Sequence, residues 1–206
     1  MKSIIKISFI ICLAFAGVYL SCAPPFASCR MDKLSKDLFN GSFCEIEQLL
    51  EGGANVDARD RNGDTALIKS VTSGNHIITQ ILLENGADVN QRAANTETPL
   101  MISARNGDVE LTRKLLFFGA DVDARDKNNE TALITAANFR HGAVVEILLD
   151  SGANSSLRDS SGKNALSIAA HLGDKESVDI LLKDRKNGLS SIAREDLQLL
   201  GSDFLN

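Results

Sequence analysis

A spacing of 33 residues governs this chain. Thr65-Ala66-Leu67, Gly74, Leu82-Leu83 and Gly86-Ala87 shift by one period onto Thr98-Pro99-Leu100, Gly107, Leu115-Leu116 and Gly119-Ala120. A second shift reaches Thr131-Ala132-Leu133, Leu148-Leu149 and Gly152-Ala153, and a third reaches Asn164-Ala165-Leu166, Gly173 and Leu181-Leu182. Backwards, Leu34, Gly41, Leu49-Leu50 and Gly53-Ala54 hold the same register, with Asp32 in the Thr place. A segment recurring at constant spacing without insertion is one supersecondary unit that buries its apolar face against its own neighbours. The core of such a chain grows with the number of units, so the usual limits on a single compact core do not apply.

Within the unit, the apolar spacing predicts a first helix over 66–73, a turn at Gly74 and a second helix over 76–84. Leu67, Leu100, Leu133 and Leu166 fall on the inner face of the first helices, and Leu82-Leu83 with their counterparts fill the second. Three and four positions beyond each first-helix Leu stand small residues: Ser70, Ser103 with Ala104, Ala136 with Ala137, Ala169 with Ala170. Small side chains there let neighbouring helix pairs approach to about 8–10 Å. Gly41, Gly74, Gly107 and Gly173 fit left-handed helix ends, where a missing Cβ removes the steric penalty. The fourth unit has Arg140 in that place and Gly142 two residues later, so the turn over 139–142 is expected to differ from the others.

This unit resembles the ankyrin repeat, a turn followed by two helices carrying a Thr-Pro-Leu-His-x-Ala core, of which the Thr-Pro-Leu part stands at Thr98-Pro99-Leu100. The resemblance implies an all-α helical repeat solenoid with short β-hairpin fingers, an ankyrin-repeat stack. It divides the chain into a capping repeat at 31–61, repeats at 62–94, 95–127, 128–160 and 161–188, and a C-terminal capping helix and tail at 189–206. In the first unit Asp37 and Leu38 replace the small pair, which suits an end facing water. After Leu182, Arg185-Lys186 replaces Gly-Ala, and Leu189, Ile192, Ala193, Leu197 and Leu200 recur at helical spacing, as a covering helix would require.

Residues 1–21 have the layout of a signal peptide, with Lys2 and Lys6 ahead of an apolar run from Ile7 to Leu20. That run is short for a bilayer span, which needs about 20 residues. Val18-Tyr19-Leu20-Ser21-Cys22 resembles a bacterial lipoprotein cleavage box, with Tyr19 where Leu is usual and Leu20 where a small residue is more common. The resemblance implies lipid attachment at Cys22, a tether over 22–30, and a membrane-anchored protein facing the periplasm or the cell exterior. The other reading is an uncleaved anchor or a plain secreted protein in which Cys22 is incidental. Cys29 and Cys44 either pair after export, closing a loop worth about 3 kcal/mol, or stay apart with Cys44 as a small buried side chain.

The chemistry-bearing residues narrow the function by exclusion. The chain holds 22 basic and 27 acidic residues, for a net charge of −5. Nonspecific nucleic-acid affinity comes from neutralising phosphates with Lys and Arg, so nucleic acid is disfavoured as a partner. No Cys or His spacing suits a zinc cage, and His76, His141 and His171 occupy three different places in the repeat, although His141 and His171 fall in adjacent units. The glycines recur as turn residues and need no phosphate loop. No catalytic residue, metal or cofactor is therefore assigned, and the expected molecule is a monomeric protein-binding scaffold. The alternatives are an inhibitor or immunity-type module that blocks an enzyme in the same compartment, and a hydrolase or metal-dependent activity on the groove.

In the family that this chain resembles, finger tips and the exposed side of the first helices line a concave groove. Mapped by register, Arg59, Arg92, Arg125 and Arg158 lie on successive finger tips as a ladder for an acidic partner surface. Asp60, Asp126 and Asp159 follow three of them and offset their charge. Phe139, His171 and Leu172 map to the ends of first helices, where other units carry Ser73 and Asn106. They form either an apolar anchor patch for a partner or part of the core beneath the Arg140 turn. Phe117-Phe118 replaces the polar pairs Glu84-Asn85 and Asp150-Ser151, and one ring of the two is expected to pack inward.

Overall fold

The computed structural model describes residue 50 and residues 52–187. The leader, Cys22, the tether, Gly41, Cys29 and Cys44, most of the first unit and the helix expected after 189 lie outside the described residues. Among the described residues eight helices form four antiparallel pairs: α1 (Ala66–Thr72) with α2 (His76–Glu84), α3 (Pro99–Asn106) with α4 (Val109–Phe117), α5 (Ala132–Asn138) with α6 (Gly142–Asp150), and α7 (Ala165–Leu172) with α8 (Lys175–Asn187). First helices pack on first helices and second on second, so the pairs pile up in chain order. The architecture is an all-α repeat stack. Its fingers are turns rather than strands, closed by single main-chain bonds such as Asp126 N to Glu130 O (3.0 Å) and Asp159 N to Lys163 O (2.9 Å). Among the described residues the only isolated β-bridge joins Arg59 to Thr65.

Each first helix starts where a side chain can take up an orphan amide. Thr65, Thr98 and Thr131 accept from Ile68, Met101 and Ile134, and Asn164 accepts from Ser167 at 2.8 Å. The Thr of each unit is thus an N-cap, and its loss would leave a buried amide unpaired. Leu67, Leu100, Leu133 and Leu166 are all buried, as are Leu82, Leu115, Leu148 and Leu181. Ser70, Ser103, Ala104, Ala136, Ala137 and Ala169 are fully enclosed between first helices, so the close approach expected of small residues is present.

The second and third units carry a polar pair inside this core. Ser70 and Thr79 hydroxyls lie 2.9 Å apart, and those of Ser103 and Thr112 3.1 Å apart. One and two periods further on, the same two places hold Ala136 with Val145 and Ala169 with Val178, all buried. Both partners change together, as burial demands of a hydrogen-bonded pair.

The Arg140 turn does not differ from the others in its backbone. Arg140 has φ +61, against +67, +69 and +69 for Gly74, Gly107 and Gly173. Arg140 N reaches Ala137 O and His141 N reaches Ala136 O, the same two bonds that close the glycine turns. The expectation failed because helix-end hydrogen bonding sets the conformation, and the residue there must adopt it even at a steric cost. What does change is the cap that follows. Asn75 and Asp108 accept from the first turns of α2 and α4, while His141 makes no side-chain cap bond to α6.

Candidate functional site

The arginine ladder lies on the fingers as its register predicts, but it is put to structural use. Arg59 Nη1 donates to Arg92 O (2.7 Å) and Nη2 to Gln91 Oε1 (2.6 Å), both in the next finger. Arg92 Nη1 repeats the move onto Arg125 O (2.6 Å), and also donates to Thr96 O in its own finger (2.9 Å). Arg158 donates to Gly162 O (2.8 Å). Arg125 is exposed. The guanidinium groups of Arg59 and Arg92 run along the stack and tie their fingers to the following ones. Asp60, Asp126 and Asp159 are absorbed as well, each accepting two amides of its own finger. Lys69 pairs with Asp60. Burial opposes ionisation of Asp60, but Lys69 and the amides of Asp64 and Asn62 outweigh it and hold the carboxyl below its ordinary value.

At the first-helix ends the three apolar-patch residues differ in their surroundings, although Arg140 Nη2 donates to Leu172 O (2.7 Å) and brings the two turns together. Phe139 is 48% exposed, so the reading in which it is core does not hold for this ring. It stacks on the His141 imidazole with centroids 6.4 Å apart and planes 7° apart. His141 Nε2 sits 3.0 Å from Arg105 O, in the preceding unit. The ring also covers Gly107, where a Cβ would come within 2.6 Å of it. His141 therefore faces away from the next unit, and no group of His, Cys, Asp or Glu fit to hold a metal occurs among the described residues. Leu172 is half-buried against the core and His171 is exposed.

Leu172 and His171 line a cleft of about 130 Å³ together with Ile168, Asn138, Glu130 and Asp159. Ser161 and Lys163 line it as well. Glu130 is half-buried there, and neither Lys163 nor any other cation forms a salt bridge with it among the described residues. Burial, then the charges of Asp126, Asp159 and Glu97, push its carboxyl above the usual range. Sequence reasoning missed Glu130. The signal available was the register column Asp64, Glu97, Glu130, Lys163, which changes sign at its last member.

A second cleft, of about 420 Å³, opens on the second-helix side between α4 and α6, lined by Arg113, Leu116, Phe117, Val122, Ile147 and Asp150 among others. Phe117 is 85% exposed, while Phe118 meets it edge-on at 5.5 Å and packs against the core. One ring of the pair is inward, as expected. On the same side His76 bridges two units, with Nε2 2.7 Å from Asp108 Oδ2 and Nδ1 3.1 Å from Glu110 Oε2. Burial disfavours the imidazolium, but the two carboxylates outweigh that and raise its pKa.

A family model for ankyrin repeats in three copies matches residues 37–126 and again residues 100–191. No match to a curated protein is found.

Proposed function

The chain belongs to the ankyrin-repeat family, whose stacked units suggest protein–protein interaction, and from that premise we propose a non-catalytic scaffold that binds a protein partner on its finger-side, concave face. Phe139 carries the reading. It is a large apolar ring left nearly half in water at a first-helix end, where the neighbouring unit has Asn106. Its stack on His141, itself held to Arg105 O, fixes the ring before any partner arrives. An anchor fixed in advance loses little side-chain freedom on binding. Aromatic anchors of this kind carry most of the energy in many interfaces. His171 and Leu172 extend the surface, and the finger arginines form its rim.

The test is site-specific photocrosslinking in intact cells. A photoreactive phenylalanine analogue placed at Phe139 should capture a partner for mass spectrometry. The same analogue at Phe117, on the other side of the stack, should not. Capture from Phe117 alone would overturn the assignment of the face.

We place this scaffold outside the cytoplasm, exported by the leader and anchored through Cys22. The support is the order of Lys2, Lys6, the apolar run and the Cys-containing box in the sequence. More than one acyl chain at Cys22 would give firm membrane attachment. Cys22→Ala should move the protein from the detergent phase to the aqueous phase on phase separation, and unchanged partitioning would remove the anchor from this account.

A further inference from the structure

From the concave-face reading, on which this step rests, we infer that the cleft beside Glu130 receives an arginine side chain of the protein partner. The argument comes from comparing two adjacent units of the same chain. In the third unit Glu97 is held by Arg105, whose Nη1 lies 2.5 Å from Oε1 and 2.7 Å from Oε2, and Asn95 Nδ2 donates to Oε2 at 2.6 Å. That carboxylate is fully supplied with donors.

One period later the carboxylate is kept and the donors are gone. Glu130 stands in the place of Glu97, but the place of Arg105 is taken by Asn138, too short to span the same distance. The equivalent of Asn95, Asn128, turns its amide to Asp126 instead, at 3.4 Å. Glu130 and Asn138 then face a common cleft in place of each other. The third unit shows which group satisfies a carboxylate in this position, and the fourth unit leaves room for one to come from outside.

The surroundings select the same group. Ile168 and Leu172 supply an apolar wall, and Glu130 with Asp159 supplies negative charge. A guanidinium is planar, weakly hydrated and suited to lie on an apolar wall while its edge meets a carboxylate. The charged groups acting on Glu130 are Asp126, Asp159 and Glu97, and Lys163 and His171 also line the cleft. Three carboxylates crowd it, so an incoming cation lowers repulsion as well as forming its own bond. The volume of about 130 Å³ admits a side-chain head group and no folded segment.

The probe is N-acetyl-arginine methylamide, titrated into the isotope-labelled full chain and followed by NMR. Saturable shifts are expected at the Asn138 side-chain amide and the Ile168 and Leu172 methyl groups. The citrulline analogue, isosteric and neutral, and the lysine analogue should each bind about tenfold more weakly, as should the arginine probe to Glu130→Gln, since one charge-assisted bond is worth about that factor. Asn138→Arg should rebuild the internal pair of the third unit, raise the melting temperature and abolish the shifts. Equal binding of citrulline or lysine, unchanged binding to Glu130→Gln, or no shifts at these groups would overturn the inference. Photocrosslinking from Phe139 reports separately: capture there with no arginine response removes this inference alone, and no capture there removes the concave-face reading beneath it.

Discussion

Gly107→Ala tests how the third and fourth units are locked together. Gly74, Gly107 and Gly173 share a left-handed backbone, with φ of +67, +69 and +69. An alanine at any of them costs about 1 kcal/mol for that conformation alone. At Gly74 and Gly173 the new Cβ meets nothing within 4 Å, whereas at Gly107 it comes within 2.6 Å of the His141 ring. The ring must swing away. It then loses its contact with Arg105 O, worth about 1 kcal/mol net, and its stack on Phe139, worth about 0.5–1.5 kcal/mol. Gly107→Ala is therefore expected to cost about 2.5–3.5 kcal/mol, against about 1 kcal/mol for each of the other two glycines. Urea denaturation followed by far-UV circular dichroism measures all three on the full chain. His141→Ala supplies the control, because without the imidazole Gly107→Ala should fall to the cost of its neighbours. Equal costs at all three glycines, or a Gly107→Ala cost that survives removal of His141, would refute the reasoning. A displaced His141 would also no longer stack on Phe139.

Three further outcomes follow from the packing and charge of the stack. His76 has its pKa raised by Glu110 and Asp108 against the effect of burial, so its stabilising contribution is complete below the unfolded value of about 6.5 and is lost as pH rises through the higher folded value. Stability of wild type minus that of His76→Gln should accordingly shrink as pH rises above about 6.5 in denaturation series, and a flat difference would remove the ion cluster as a stabilising device. Ser103→Ala and Thr112→Val should each cost about 1 kcal/mol, while the double variant, which recreates the Ala-Val pair found at Ala136 and Val145, should cost less than their sum; strict additivity in the cycle would show that the hydroxyl pair is not coupled. Ser177 is buried with its hydroxyl unpartnered where the register elsewhere holds Ile78, Leu111 and Val144, so Ser177→Val should raise stability by about 1 kcal/mol in the same urea assay, and a loss would mean that the hydroxyl is satisfied in solution.

Much of the fold was legible because the period repeats the same physical solution. The leucine rows, the small residues between first helices and the glycine turns each answer one local requirement, and a requirement met several times at fixed spacing reads clearly in one sequence. The Arg140 turn was misread for the opposite reason. Glycine marks an easy left-handed position, but the helix end imposes that conformation whether or not the residue there is at ease in it. That Phe139 and Leu172 stand at first-helix ends was also legible. Its chemistry was not. The ladder arginines look free when written in a row, yet Arg59 and Arg92 spend their donors on main-chain oxygens of the next finger, and a one-dimensional register carries no direction for a side chain.

By itself, then, the sequence determined the unit, its number of turns per period, the buried rows and the all-α class, since these depend on contacts within a unit or between residues in the same register. Only the tertiary structure decided which polar groups are used up in holding the stack and which are left over. Phe139 is held half-exposed through His141 and Arg105 O, and Glu130 has no arginine beside it because Asn138 stands where the preceding unit has Arg105. The partners of a surface side chain sit in other helices and fingers, up to a full period or more along the chain. Their distances are fixed by stacking and not by spacing, which is why the candidate site had to be seen folded.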